Sequence, residues 1–222
     1  MFDATGLPTR GIKELATDEP ECQKLDRRDV YRLFKAADRL ILTETRRNQR
    51  PRRNRAILAL LYYTGMRVSE LVALRREQYD GRYLVNVKRK GKARSKSVYV
   101  AAECRKLLDE YLDKERALDA PHSASGALLV PNVTAGDTGR PLTRRTVGLI
   151  LDHIAEEASK HDGTGGIAIH PHRLRHTFGA EYRERTGSDT ETAAALGHTS
   201  LDYVGRYVRK SREERESVLD GL

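Results

Sequence analysis

One stretch organises this sequence: Ile169-His170-Pro171-His172-Arg173-Leu174-Arg175-His176-Thr177-Phe178-Gly179. Pro171 suits the first turn of a helix, because the amide hydrogen that proline lacks has no helical partner there. His172 and Arg175 are then neighbours on one helical face. Histidine exchanges a proton near neutral pH, and arginine is a permanently charged donor for phosphate oxygens. The pair fits chemistry on a phosphodiester; taken alone, it also fits the solvated basic start of an ordinary helix.

The composition indicates a polyanionic partner. The 222 residues carry a formal net charge of +9, with 38% hydrophobic and 33% charged residues. This is enough for one domain with a sizeable core and a highly charged surface. The positive charge is concentrated in two runs, which predict an electrostatic footprint: Arg46, Arg47, Arg50, Arg52, Arg53 and Arg55, then Lys88, Arg89, Lys90, Lys92, Arg94 and Lys96.

Cysteine usage and hydropathy exclude secreted and membrane-spanning classes. Cys22 and Cys104 are too few for a disulfide framework and lack metal-ligand spacing. There is no apolar run of membrane-spanning length and no signal-peptide core. We expect a soluble protein of the cytoplasm.

Hydrophobic periodicity predicts an α+β fold that is mainly α-helical. Residues 1–24 lack periodicity and indicate a flexible lead-in. Asp26 is placed to cap the first helix, Gly65 is suited to end a later helix in the left-handed conformation, and Gly197 closes another. One predicted helix follows Asp26, a second covers residues 56–63 and a third starts at residue 66. Further helices are predicted over residues 104–117, after Thr143, from Pro171 and over residues 192–196.

A small antiparallel sheet is predicted in the middle of the chain. Tyr83, Val85 and Val87 alternate with their neighbours in the period of a half-buried strand, and residues 97–100 suit its return partner. The loop over residues 89–96 is then the basic tip of a β-hairpin, whose simplest role is contact with phosphates. Residues 128–130 are a candidate third strand of this sheet.

Three short boxes carry the chemistry. Residues 64–71, TGMRVSEL, place Arg67 at a tight helix junction, as either an ion-pair partner of Glu70 or a ligand clamp. Residues 172–177 read HRLRHT, and residues 196–198, LGH, are followed by Tyr207. In this order the boxes resemble those of the tyrosine recombinases, the phage integrase family that includes the Xer recombinases, from about residue 25 to residue 207.

The resemblance implies a tyrosine recombinase catalytic domain over residues 25–208 and a set of six catalytic residues. Tyr207 would attack the scissile phosphate and form a 3′-phosphotyrosyl link, with His172 as the base. Arg67 and Arg175 would hold the nonbridging oxygens, and His198 would add a donor. Lys90 would protonate the leaving oxygen, with Lys92 as the alternative on the same hairpin tip. Neither a cofactor nor a metal nor ATP is implied.

The sequence departs from the family pattern just before the nucleophile. Tyr203 and Val204 stand where two threonines are usual, which places a second tyrosine near Tyr207. The lead-in is also too short for the N-terminal DNA-binding domain that is usual in the family. We therefore expect a minimal form or a fragment that lacks this domain.

The implied partners are double-stranded DNA and further copies of the chain, assembled as a tetrameric synapse in the nucleoid. Residues 209–222 form a charged tail in which Val218 and Leu219 either dock on a neighbouring protomer or belong to a frayed end.

Three other readings compete with recombination. A type IB topoisomerase uses much the same chemistry, although the amino-acid sequences of the three boxes favour a recombinase. A DNA-binding regulator without catalysis would not need Tyr207. His170, His172 and His176 could form a zinc site, but no cysteine or nearby carboxylate completes it.

Overall fold

The computed structural model describes residues 24–46, 49–88, 97–119, 126–131, 141–160, 165–197 and 212–222. Within these ranges the chain is mainly helical with one small antiparallel sheet, which confirms the predicted α+β class. The helices are α1 (Arg27–Thr43), α2 (Pro51–Thr64), α3 (Val68–Val72), α4 (Ala102–Tyr111), α5 (Ala117–Asp119), α6 (Arg144–Ser159), α7 (Pro171–Thr186), α8 (Asp189–Leu196) and α9 (Arg212–Asp220). The strands are β1 (Tyr83–Val85) and β2 (Ser97–Tyr99). No helix in the described part of the chain is long and apolar enough to cross a membrane.

The predicted helix caps form as expected. The Asp26 side chain accepts a hydrogen bond from the amide of Asp29 at 2.6 Å and starts α1. Thr143 caps α6 in the same way, through the amide of Thr146 at 3.1 Å. In both helices the apolar side chains lie on one face, and α1 packs against α6 and α2.

Helix α2 is the centre of the core, where it packs against α1, α4 and α7. It begins at Pro51, before the predicted start at residue 56. The reason is a carboxylate from a distant part of the chain: Glu115 accepts from the amides of Arg52 and Arg53, at 3.0 and 2.9 Å. Glu115 lies in a π-helical turn, Leu112–Arg116, that follows α4.

The predicted electrostatic footprint is wrong for the three arginines inside α2. Arg52 bonds Glu110 at 2.9 Å, and Arg55 forms ion pairs with Asp38 and Glu110. Arg53 is buried and donates to the carbonyl of Val130 at 2.9 Å. The ion pairs of Arg52 and Arg55 and the hydrogen bond of Arg53 hold α2 to its neighbours.

The hairpin strands pair as predicted, and the third strand is a wrong prediction. Tyr83 lies opposite Tyr99 in a two-stranded antiparallel sheet, and β1 ends before Asn86, which has a φ of 54°. Residues 128–130 do not join this sheet. Leu128 instead donates its amide to the carbonyl of Leu74 at 2.8 Å, because this segment is anchored beside the end of α3. The hairpin tip, residues 89–96, lies outside the described residues.

The C-terminal residues form a packed helix, so the frayed-end alternative is wrong for residues 212–222. Leu219 of α9 is buried in a small second core with Tyr83, Tyr99, Phe178 and Tyr182 of the same chain. Docking of this tail on a neighbouring protomer remains a proposal.

Candidate active site

The first box forms a tight turn between α2 and α3. Gly65 has a φ of 58° and ends α2 in the left-handed conformation, as predicted. The prediction that the next helix starts at Met66 is wrong. Arg67 instead has an extended backbone, with a φ of -73° and a ψ of 150°, and α3 begins after it at Val68.

Arg67 is held by Glu70, which confirms the ion-pair alternative. One carboxylate oxygen of Glu70 accepts from the Arg67 backbone amide at 2.9 Å, and the other accepts from the guanidinium at 3.1 Å. The Glu70 side chain is only 2% exposed, whereas that of Arg67 is 30% exposed. A buried carboxylate thus orients an arginine that a ligand can still reach. The clamp alternative is compatible with this arrangement.

The second box begins α7. Pro171 is the first helical residue, and Nδ1 of His170 accepts from the amide of Arg173 at 3.2 Å as the N-cap. Partial desolvation and the nearby His172 and Arg173 hold the pKa of His170 below its usual value of 6.5. The neutral imidazole that a cap requires is therefore favoured. Sequence reasoning missed this role, although the position directly before a proline at the first helical residue is a signal for a cap.

His172 is exposed near the start of α7. Its ring is stacked on that of His170, with 6.5 Å between the ring centroids and 9° between the planes, and the centroid of His176 lies 6.4 Å away. Within the described ranges no group of three His, Cys, Asp or Glu side chains is arranged to hold a metal ion.

Arg175 connects all three boxes. Its guanidinium donates to the carbonyl of Gly65 at 2.5 Å and to the carbonyl of Leu196 at 2.8 Å. Gly65 belongs to the first box, and Leu196 ends α8 directly before Gly197 and residue 198. Arg175 is only 6% exposed. These bonds bring the Arg67 turn, the start of α7 and the end of α8 to one place.

Three of the six predicted catalytic residues are therefore placed: Arg67, His172 and Arg175. Lys90, its alternative Lys92, His198, Tyr207 and the neighbouring Tyr203 lie outside the described residues. The catalytic roles of all six residues stay predictions.

Comparison with known proteins identifies the family. The profile of the phage integrase family matches residues 23–214. The chain is 35% identical over 168 residues to tyrosine recombinase XerC of Staphylococcus haemolyticus strain JCSC1435, over 75% of this chain and 52% of the relative. It is 34% identical over 169 residues to XerC of Staphylococcus aureus strain USA300, with the same coverage of 75% and 52%. The chain spans about half the length of these curated relatives. It belongs to the phage integrase family.

Solved structures agree on the fold. The XerA recombinase superposes with a TM-score of 0.61 and 26% identity, over 88% of this chain and 63% of that chain. The catalytic core of lambda integrase superposes with a TM-score of 0.54 and 16% identity, over 85% of this chain and 94% of that chain. The chain has the fold of a tyrosine recombinase catalytic domain.

Proposed function

We propose that this chain is the catalytic domain of a site-specific DNA recombinase, which cleaves and rejoins DNA strands through a 3′-phosphotyrosyl intermediate. The observation that carries the proposal is the pair of hydrogen bonds from Arg175 to Gly65 and Leu196. They join one residue of the first box and one of the third to a buried guanidinium of the second, which supports a shared site for phosphoryl transfer.

Arginines are the proposed phosphate clamp. A guanidinium offers several donors in one plane and remains charged at any working pH. Arg67 and Arg175 would bind the nonbridging oxygens and stabilise the charge that develops in the pentacoordinate transition state. Glu70 would keep Arg67 in the required orientation. Fixed positive charge of this kind supplies what bound metal ions supply in many nucleases, so we propose no metal requirement.

The proposed reaction conserves one phosphodiester bond. The Tyr207 oxygen attacks phosphorus while the bond to the 5′ oxygen breaks. A phenol has a pKa near 10, so its proton must pass to a base, for which His172 is the candidate. His198 adds a donor to the phosphate, and Lys90 or Lys92 protonates the leaving 5′ oxygen. Attack of a 5′-hydroxyl on the phosphotyrosine reverses the steps, which is why no ATP is needed.

DNA is the proposed partner, bound by several copies of the chain. Structures of XerH bound to its difH substrate and of lambda integrase bound to DNA exist for proteins with this fold. For this chain we propose a tetrameric synapse in the nucleoid, with α9 exchanged between protomers on paired sites. Deletion of residues 209–222 should then weaken assembly on paired sites more than binding to one site.

Covalent trapping tests the function. The probe is a pool of nicked duplexes with a randomised segment, from which covalent protein–DNA complexes are isolated under denaturing conditions and sequenced. The wild-type chain should be trapped on a defined sequence, in excess chelator as well as without it. Tyr207→Phe should bind the recovered duplex and form no covalent complex, whereas Tyr203→Phe should be trapped like wild type.

Each alternative has its own outcome in this experiment. Binding without covalent complex in the wild-type chain would indicate a DNA-binding regulator. Trapping combined with relaxation of supercoiled DNA, and without strand exchange, would indicate a topoisomerase. Activity lost in chelator and restored by zinc would contradict the arginine clamp.

The hairpin lysine is assigned by a modified substrate. Sulfur in place of the bridging 5′ oxygen gives a leaving group that departs without a proton. This substrate should restore much of the cleavage that Lys90→Ala loses. Restoration for Lys92→Ala alone would assign the proton to Lys92.

A further inference from the structure

Residues 24–26, which lead into α1, are attached to α7 by a buried hydrogen bond. The amide of Leu25 donates to the hydroxyl of Thr177 at 2.9 Å. Leu25 is 1% exposed and Thr177 is 0% exposed, so water cannot replace either partner. A buried amide without a partner is costly, and this amide depends on a side chain that lies far away in the sequence.

The Thr177 hydroxyl fills both of its hydrogen-bonding roles. It accepts from Leu25 and donates to the carbonyl of Arg173, one turn earlier in α7, at 2.9 Å. Arg173 stands between His172 and Arg175. Through one hydroxyl, the segment before α1 is therefore joined to the turn of α7 that carries the candidate base and the phosphate-binding arginine.

Helix α7 is held from two sides at this level. Residues two apart in an α-helix are separated by about 200° of rotation, so Thr177 and Arg175 point away from each other. Arg175 fixes one side of the helix to Gly65 and Leu196. Thr177 fixes the opposite side to Leu25. The rotation and the axial position of the first two turns depend on both attachments.

We propose that Thr177 is a positioning residue for the active site, which aligns His172 and Arg175 by tying α7 to residues 24–26. The inference rests on the proposed function and adds a structural link between the segment before α1 and the candidate active site. A displacement of the chain before α1 would reach the catalytic turn through this hydrogen bond. Thr177 itself touches no reacting atom.

The chain offers closely matched variants for the test. Thr177→Val keeps the shape of the side chain and removes the hydroxyl, whereas Thr177→Ser keeps the hydroxyl. Lys24→Gln breaks the ion pair between Lys24 and Glu184, which also links this segment to α7 but whose side chains are 43% and 60% exposed. An exposed pair of this kind contributes little, so Lys24→Gln controls for loss of a surface contact.

Two measurements on the 222-residue chain separate positioning from stability. Hydrogen–deuterium exchange, which needs no DNA, should accelerate in residues 24–27 and 171–178 of Thr177→Val. On the duplex recovered by covalent trapping, Thr177→Val should form the covalent complex about tenfold more slowly at saturating protein, with affinity within about twofold of wild type. Thr177→Ser and Lys24→Gln should match wild type in both measurements.

Two other results would contradict the positioning role of Thr177. Unchanged exchange and rate in Thr177→Val would overturn the inference. So would faster exchange spread evenly over all helices, with rate and affinity falling together, because this pattern indicates a general loss of stability. If the wild-type chain forms no covalent complex, the proposed function fails. The exchange experiment would still decide whether Thr177 fixes the start of α7.

Discussion

The ring of Phe178 occupies the space into which any side chain at Gly65 would project. A β-carbon on Gly65 would lie 2.3 Å from Cδ1 of Phe178, a distance that no real packing allows. Gly65 also has a φ of 58°, a conformation that residues with a side chain rarely adopt. The first box and α7 therefore approach each other as closely as a glycine permits, and Arg67 lies two positions after Gly65.

Gly65→Ala should destabilise the fold strongly, because it adds a steric clash to backbone strain. We expect a loss of about 2–5 kcal/mol in the free energy of unfolding, measured by urea denaturation. Gly187→Ala is the matched control. Gly187 has a φ of 64° with nothing within 4 Å of its added β-carbon, so only the strain of about 1–2 kcal/mol applies. Equal losses for the two variants would show that the Phe178 contact costs nothing.

Replacement of Glu70 should slow cleavage more than it weakens DNA binding. Glu70 holds both the amide and the guanidinium of Arg67, so Glu70→Ala leaves the arginine charged and wrongly oriented. We expect the single-turnover rate of covalent complex formation to fall about 10- to 100-fold, with affinity within about threefold. Glu77→Ala, which breaks an exposed ion pair with Arg75, should change neither quantity. A parallel fall in rate and affinity would mean that Glu70 only supports DNA binding.

Signals that lie within a few residues of one another were readable from the sequence. Asp26 caps α1, Gly65 ends α2 and Pro171 starts α7, because each effect depends on the local backbone alone. The family resemblance of the three boxes also implied that Arg67 and Arg175 serve one phosphate, and the structure joins Arg175 to the carbonyl of Gly65, two positions before Arg67. Local chemistry thus predicted most of the described helices, whereas the candidate site residues came from the family resemblance.

Partners that are distant in the sequence were not readable. The arginines of α2 were expected on the surface, but Arg52 and Arg55 find the carboxylate of Glu110 more than fifty positions away. Residues 128–130 have the apolar character of a strand. Their backbone amides nevertheless donate to the carbonyl of Leu74, which follows α3, and to the hydroxyl of Tyr111, which ends α4. A side chain's neighbours depend on the tertiary fold, which periodicity does not specify.

Glu115, which caps α2 from a distant part of the sequence, should contribute strongly to stability. Glu115 is buried and satisfies two amides at the start of the central helix, where a negative charge also interacts favourably with the helix dipole. Glu115→Ala should lower the free energy of unfolding by about 2–4 kcal/mol, measured by denaturation. Asp113→Ala, at an exposed position in the same π-helical turn, should change it by about 0.5 kcal/mol or less. Similar small changes in both variants would show that α2 does not need this cap.

The cap on α7 should make the stability of the chain depend on pH. Partial desolvation and the nearby His172 and Arg173 lower the pKa of His170 from 6.5, so the unfolded chain binds this proton more readily than the folded chain. The contribution of the neutral His170 cap to the free energy of unfolding is full above pH 6.5. It is lost as the pH falls through the lower pKa of the folded state. His170→Ser supplies a hydroxyl cap that does not titrate, worth about 1 kcal/mol.

Melting temperatures between about pH 8 and pH 5 check this expectation, since histidine side chains change charge in this range. Wild type should lose more stability than His170→Ser as the pH falls. His176→Gln, which removes an exposed histidine from the same helix and leaves the cap in place, should behave like wild type. Parallel pH profiles for wild type and His170→Ser would contradict a titrating cap.

Asp220 should stabilise the free chain by closing α9 onto its own body. One carboxylate oxygen accepts from the Tyr99 hydroxyl at 2.8 Å, and the other accepts from the amide of Ala102, at the start of α4, at 2.7 Å. Asp220→Ala removes both bonds and should cost about 1–3 kcal/mol in thermal or urea unfolding. Asp152→Ala, at an exposed position in α6, is the control and should change stability by about 0.5 kcal/mol or less. Because these contacts lie within one chain, the melting temperature of wild type without DNA should not depend on protein concentration. A melting temperature that rises with concentration, and does so less in Asp220→Ala, would mean that α9 already docks on a second copy before DNA is bound.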